Sequence, residues 1–322
     1  MSGPAIDARG VSKVFGEVTA LDDARFDVER GSVFGLLGPN GAGKTTAVRV
    51  LNGIIEPTAI ERVTILGYDL VEDIQEIRQR VGVQTDSNLY ERLSALDNCR
   101  LFGDLYGLDP GDSRAKAMTL LEQFDLAGRT KDKVGGFSKG MRQKLSIARA
   151  LMGDPDLIYL DEPTAGLDPE ASHDLLHYIK KVSADSSKTF FITSHRLEEM
   201  EAICDMAAIL VEGRIIALGS PAELIDQATE SHRVRVVLSG VRDNGDGASK
   251  NRLDTEKLVT ELGFIESIEP EAGGLIVEVA ARSDIPELIR VLAAGGIDIY
   301  SVSEESPTLQ DAYLVLVRGD GK

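Results

Sequence analysis

One segment constrains this chain more than any other: GSVFGLLGPNGAGKTTAVRVLNG, residues 31–53. The apolar run SVFGLL reads as a buried strand, and AVRVLNG continues as a helix. Between them lie Gly38, Pro39, Asn40, Gly41, Ala42, Gly43, Lys44, Thr45 and Thr46. This is the pattern GxxxxGK[ST] in the strand-loop-helix setting that a phosphate-binding loop requires. Glycines let the backbone wrap closely around phosphates with its N–H groups turned inward, and the helix that follows presents its positive end. Lys44 is then expected to reach the β and γ phosphates, Thr45 to ligate Mg²⁺, and Thr46 to add a hydroxyl and a backbone donor. The bare pattern arises by chance in roughly one per cent of chains of this length, and the flanking elements lower that figure further.

A second cluster lies in DPDLIYLDEPTAGLDP, residues 154–169. Four apolar residues, Leu157 to Leu160, predict a buried strand whose end delivers Asp161 and Glu162. An acidic pair after an apolar strand says little alone. Beside a phosphate loop it becomes a catalytic pair, with Asp161 organising the metal and Glu162 polarising the attacking water.

Composition narrows the partners. The 322 residues suffice for one large or two ordinary domains, and 43% hydrophobic with 27% charged is ordinary globular composition. With 53 Asp+Glu against 35 Lys+Arg the net charge is −18. Binding nucleic acid through its phosphates needs a basic stripe, and no run of several Lys or Arg occurs, so the acidity points away from nucleic acid as a partner. A nucleotide must be held here by local donors against an unfavourable long-range field. Cys99 and Cys204 show no metal-ligand spacing and read as free buried thiols. No apolar run of about 20 residues predicts a membrane span.

Residues 1–226 alternate apolar runs with Gly-rich turns and amphipathic stretches, the pattern of a layered α/β domain. A break follows near DQATESHR. From Arg233 the chain reads RVRVVL as a strand, RDNGDGASKN as a turn, TEKLVTELG as a helix, and FIESIE and GLIVEVA as a strand pair. DIPELIRVLAAGG then forms a helix, IDIYSVS a strand and PTLQDAYLVLV a closing helix. The order β-α-β-β-α-β predicts a small ferredoxin-like α+β domain over residues 231–322.

The phosphate loop, GGFSKGMRQKLSIARAL at 135–151, the acidic pair, AGLDP and the ITSH at 192–195 resemble, in order and spacing, the motifs of the ATP-binding-cassette (ABC) ATPases. The resemblance covers residues 1 to about 226. It implies a phosphate-loop NTPase cassette with a helical subdomain at about 89–150, and ATP and Mg²⁺ as ligands. By the same resemblance Phe15 stacks on adenine, Gln84 contacts Mg²⁺ or the attacking water, and His195 reaches the γ phosphate and positions Glu162. Ser138, Lys139 and Gly140 hold the γ phosphate of a nucleotide bound to the opposite subunit, and Asp168 couples the two sites. Lys139 stands where the family's commonest signature, Leu-Ser-Gly-Gly-Gln, has glycine. MRQKLSIARAL reads as an amphipathic helix adding its positive end to that anion site.

On this resemblance a complete site needs a second ATP-binding subunit, expected as a homodimer. The segment Leu89 to Leu105 faces a separate transmembrane permease, placing the chain at the cytoplasmic face of the membrane. The ending with Pro307-Thr308-Leu309-Gln310-Asp311-Ala312-Tyr313 looks like the C-terminal domain of daunorubicin-resistance-type export ATPases. An importer ATPase and a soluble repair or translation cassette are the alternatives, the latter disfavoured by the single cassette and the acidity. One departure lies in PTAIERVTILG, residues 57–67, where the family usually has a Ser-Gly turn. Ile60 and Glu61 occupy it, and a position of positive φ is expected to be less comfortable there.

Overall fold

The computed structural model describes residues 3–84, 89–228, 232–238, 258–260, 262–271, 273–305 and 307–319. The elements of the N-terminal part run in the order β1 (Ile6–Phe15), β2 (Val18–Val28), β3 (Val33–Leu37), α1 (Lys44–Leu51), β4 (Arg62–Ile65), β5 (Tyr68–Asp69), α2 (Ile74–Arg80) and β6 (Val81–Gln84). There follow α3 (Ala95–Leu105), α4 (Pro110–Gln123), α5 (Lys139–Ala150), β7 (Leu157–Asp161), α6 (Pro169–Ser186), β8 (Thr189–Ser194), α7 (Leu197–Ile203), β9 (Met206–Val211), β10 (Arg214–Gly219) and α8 (Pro221–Ala228). A six-stranded sheet has the order β10-β9-β3-β8-β7-β6, and only β10 runs antiparallel to its neighbour. A four-stranded antiparallel sheet, β2-β1-β4-β5, packs into the same core.

The central strands explain themselves. VFGLL in β3 and TFFITS in β8 are buried at every position, as parallel strands covered on both faces must be. Phe26, Phe34, Phe191 and Tyr159 stack in sequence between the sheets, with centroids 5.4–5.9 Å apart. Such rings contribute large buried areas plus about 0.5–1.5 kcal/mol per pair. All these strands point their C-terminal ends the same way, so the loops after β3, β7 and β8 converge at one edge, where an open α/β sheet places its ligand.

The helical stretch is pinned at both ends. Ser94 caps α3 by accepting the Asp97 N–H at 3.1 Å. The buried Asn98 side chain holds both the N–H and the carbonyl of Tyr90, at 2.9 and 3.1 Å. Arg142, on α5, reaches Glu91 at 2.7 Å, and the Arg149 guanidinium lies 4.4 Å over the Phe102 ring. The loop before α3 is thereby tied to α5.

The chain divides into two compact units, residues 1–224 with 316–322 and residues 225–315. The second unit contains β11 (His232–Leu238), β12 (Ile265–Glu271), β13 (Gly274–Val279), the helix Ile285–Ala294 and β14 (Ile299–Glu305). Its sheet order β12-β13-β11-β14, antiparallel throughout, is the ferredoxin-like one. Val234, Val236 and Leu238 alternate into the core against Val259, Leu288 and Leu292. Arg233 and Arg235 alternate outward and pair with Glu269 and Glu271 on β12, at 2.8 and 2.7 Å. The turn expected at RDNGDGASKN and most of the helix expected at TEKLVTELG lie outside the described residues, apart from helical residues 258–260.

The expected strain at Ile60 and Glu61 does not arise. Ala59 bridges to Ser12 and the Glu61 N–H donates to the Arg9 carbonyl at 3.1 Å, so this stretch runs beside β1 with negative φ. The positive φ falls instead at Leu66 and Gly67, between β4 and β5.

Both cysteines are buried, and desolvation pushes each thiol up to about 12. Because the thiolate is the reactive form, a thiol-specific reagent at pH 8 is expected to label neither cysteine in the folded protein and both in guanidinium, counted by mass spectrometry. Rapid native labelling of either one contradicts the packing.

Candidate active site

The loop after β3 encloses an ammonium. Lys44 is almost fully buried, and its Nζ donates to the carbonyls of Gly38 and Pro39 at 2.8 and 3.0 Å. The same nitrogen lies 3.3 Å from Glu162 Oε1. The other carboxylate oxygen, Oε2, is 2.6 Å from His195 Nδ1. Glu162 therefore bridges a cation of the phosphate loop and the histidine after β8, although these residues lie far apart in sequence.

Local backbone geometry makes the bridge possible. Glu162 has φ +51°, a left-handed conformation that costs a non-glycine residue about 1–2 kcal/mol. Its N–H donates to both the carbonyl and the hydroxyl of Thr193, each at 3.1 Å, and this holds the bend. The Thr193 hydroxyl in turn donates to Asp161 Oδ1 at 2.5 Å. One buried hydroxyl thus positions both members of the acidic pair. The segment beyond is anchored by Thr164 donating to Glu199 at 2.6 Å, and Glu199 also holds Arg196, the neighbour of His195, at 2.6 Å.

An open cavity of about 470 Å³ lies over these groups. Asn40, Gly41, Gly43, Lys44, Thr45, Thr46, Glu162 and His195 line it, together with Val18, Thr19 and Ala20 from the start of β2 and Ala165. The β2 wall carries no motif of its own and escaped the sequence reading. Thr193 escaped it too, although a threonine inside the fully buried run TFFITS is a legible polar exception.

The remaining expected residues lie elsewhere. Phe15 ends β1, 45% exposed, with the Lys13 ammonium 4.9 Å from its ring centroid, and it is absent from the cavity wall. Ser138 is the N-cap of α5, accepting the Met141 N–H at 3.2 Å, and the helix begins at Lys139, two residues before the expected start. The Lys139 side chain lies across Gly166. Asp168 is the N-cap of α6, accepting the Ala171 N–H at 2.8 Å. Ser138, Lys139, Gly140 and Asp168 are absent from the cavity lining, and so are Gly38, Pro39, Ala42, Gln84 and Asp161.

Gln84 ends β6 alongside Leu160, the residue before Asp161. It is buried, and its Oε1 has no hydrogen-bond partner among the described residues. A hydroxyl at Thr45, a carboxylate at Asp161 and an unpaired amide oxygen at Gln84 are hard oxygen donors of the kind Mg²⁺ takes, with phosphate and water completing its shell.

The family model described as ABC transporter matches residues 21–165. The chain is also 33% identical over 326 residues to the daunorubicin resistance ATP-binding protein DrrA3 of Streptomyces coeruleorubidus, covering 99% of this chain and 98% of that one. The chain belongs to the ABC transporter ATP-binding proteins. A second relative along the full length is the linearmycin resistance ATP-binding protein LnrL of Bacillus subtilis (strain 168), 29% identical over 315 residues and 97% of each chain. Among solved structures, an ATP-binding subunit of an ABC transporter superposes with a TM-score of 0.63 at 32% identity, over 69% of this chain and 92% of that one. As an ABC ATPase the chain binds and hydrolyses ATP, and ABC cassettes work as dimers with membrane permeases. No helix among the described residues is long and apolar enough to cross a membrane.

Proposed function

We propose that this ABC ATPase is the motor subunit of a resistance-type exporter, working as a homodimer at the cytoplasmic face of a membrane beneath a separate permease. Residues 1–226 form the cassette in this reading, and residues 231–322 form an accessory domain. The export assignment rests on DrrA3 and LnrL, both resistance proteins by name, whose similarity runs through the C-terminal unit as well as the cassette.

The observation that carries the mechanism is Glu162 held between Lys44 and His195, at 3.3 and 2.6 Å. The loop N–H groups and Lys44 bind the phosphates, and Thr46 adds a further donor. Glu162 accepts the proton of the attacking water, and His195 fixes the carboxylate's orientation and reaches towards the γ phosphate. Thr45, Asp161 and Gln84 are the residues that would hold Mg²⁺, which supplies charge neutralisation at the β and γ phosphates when bound. Ser138, Lys139 and Gly140 face the nucleotide of the opposite subunit, with Asp168 at the junction.

The assignment is tested by co-purification. Tagged chain expressed in its native host is expected to be recovered from detergent-solubilised membranes with a polytopic partner, and recovery only from the soluble fraction counts against it. Adenine stacking on Phe15 is tested separately. Phe15→Ala is expected to raise KM for ATP about 3-fold to 10-fold with kcat retained, the scale of one aromatic contact. An unchanged KM removes Phe15 from the site.

A further inference from the structure

The chain has four histidines. His195 belongs to the cluster at the phosphate loop, and His232 is held by Glu304 at 2.9 Å. The other two, His173 and His177, lie one turn apart on α6, and both are exposed. Their rings face each other with centroids 6.4 Å apart and planes 7° from parallel. The opposite face of α6 is buried through Leu175, Leu176 and Ile179. The helix is therefore held in place by residues other than the two imidazoles.

Positions i and i+4 share one helix face, and two imidazoles at that spacing form a two-tooth chelate for borderline metal ions. Histidine is a weaker helix former than the Lys or Glu that would otherwise suit an exposed face, so the stability of α6 does not explain the pair. Asp174 Oδ1 stands 3.8 Å from His173 Nδ1. At that distance the carboxylate makes no hydrogen bond to the ring, so it leaves the imidazole nitrogens open to a ligand. Exposed side chains change rotamer within nanoseconds. Both rings therefore turn towards a common ion without any repacking of the core.

We propose that His173 and His177 form a binding site for a divalent transition-metal ion of the Cu²⁺, Ni²⁺ or Zn²⁺ class, ligated by two imidazole nitrogens. Among the described residues no cluster of three His, Cys, Asp or Glu is arranged to hold a metal. Water takes the remaining positions, and hard ions such as Mg²⁺ are poor competitors for a nitrogen pair. The site clips together the first turns of α6, directly behind its N-cap Asp168.

The test uses the full-length protein, stripped by a chelator, free of nucleotide and titrated with Cu²⁺ alone. Calorimetry is expected to give one equivalent per chain, and electron paramagnetic resonance to show hyperfine coupling to two imidazole nitrogens. His173→Gln and His177→Gln are each expected to weaken binding at least about 10-fold. The double variant is expected to lose both binding and the metal-dependent rise in melting temperature, while His232→Gln keeps them. Both histidines are exposed, so the double variant is expected to fold and to hydrolyse ATP at the wild-type rate. Unchanged copper affinity in the double variant, a spectrum without two nitrogen ligands, or loss confined to one of the two single variants overturns the proposal.

Discussion

Glu162→Gln is expected to lower kcat for ATP hydrolysis by about 10²–10⁴, the range spanned by a positioned general base, while leaving ATP affinity close to wild type. The substitution keeps the size of the side chain, and the N–H of residue 162, which donates to Thr193 at 3.1 Å in this structure, is a backbone group that it does not alter. What is lost is the carboxylate that faces Lys44 and His195. Phosphate contacts from the loop are untouched, so nucleotide binds but is not split. Without hydrolysis the ATP-bridged dimer has no exit, and sedimentation is expected to show a stable dimer with Mg-ATP and its loss with ADP. Steady phosphate release near the wild-type rate removes Glu162 from the chemistry.

Gly43→Ala is the second large effect. Gly43 has φ +109°, and a Cβ there lies 2.1 Å from the carbonyl oxygen of Ala20, a backbone atom in the cavity wall. Relief requires the loop to move away from β2. With Lys44 the next residue, the ammonium moves with it. A strained backbone position costs about 1–3 kcal/mol before the clash is counted, so nucleotide affinity is expected to fall by about 10-fold to 100-fold or more. Gly41→Ala supplies the control. Gly41 also has positive φ, +84°, but a Cβ there meets nothing within 4 Å, so only the conformational cost of about 1–2 kcal/mol applies. Titration with a fluorescent ATP analogue is expected to rank wild type above Gly41→Ala, and Gly41→Ala above Gly43→Ala. Equal losses in the two variants contradict the role assigned to the Ala20 contact.

What was legible in the sequence was whatever depends on neighbours along the chain. A parallel strand covered on both faces is a continuous apolar run, so VFGLL and LIYL announced β3 and β7. Alternation in RVRVVL announced β11, and the element order sufficed for the ferredoxin-like topology. Contacts made across the sheet were not legible. Thr193 binds Asp161 and Glu162 from 31 or more positions away, and the β2 wall over the phosphate loop has no signature of its own. Roles within helix ends were equally hidden. Ser138 and Asp168 match family positions, yet in the structure each first serves as an N-cap, satisfying a donor at the start of α5 or α6. The turn at residues 59–61 is built differently from the family's usual Ser-Gly turn, because pairing with β1 removes the need for a left-handed residue there.

The central claim is that each chain carries half of two sites. Mixing two inactive variants tests it most directly. One is Glu162→Gln, with its signature segment intact, and the other is Ser138→Arg, with its phosphate loop and Glu162 intact. In a mixed dimer one site pairs the sound loop of the second chain with the sound signature of the first. Each variant alone is expected to be inactive, and an equimolar mixture is expected to recover ATP hydrolysis that grows with total protein concentration. A mixture as inactive as its components, or a Ser138→Arg chain that hydrolyses ATP normally by itself, contradicts the account.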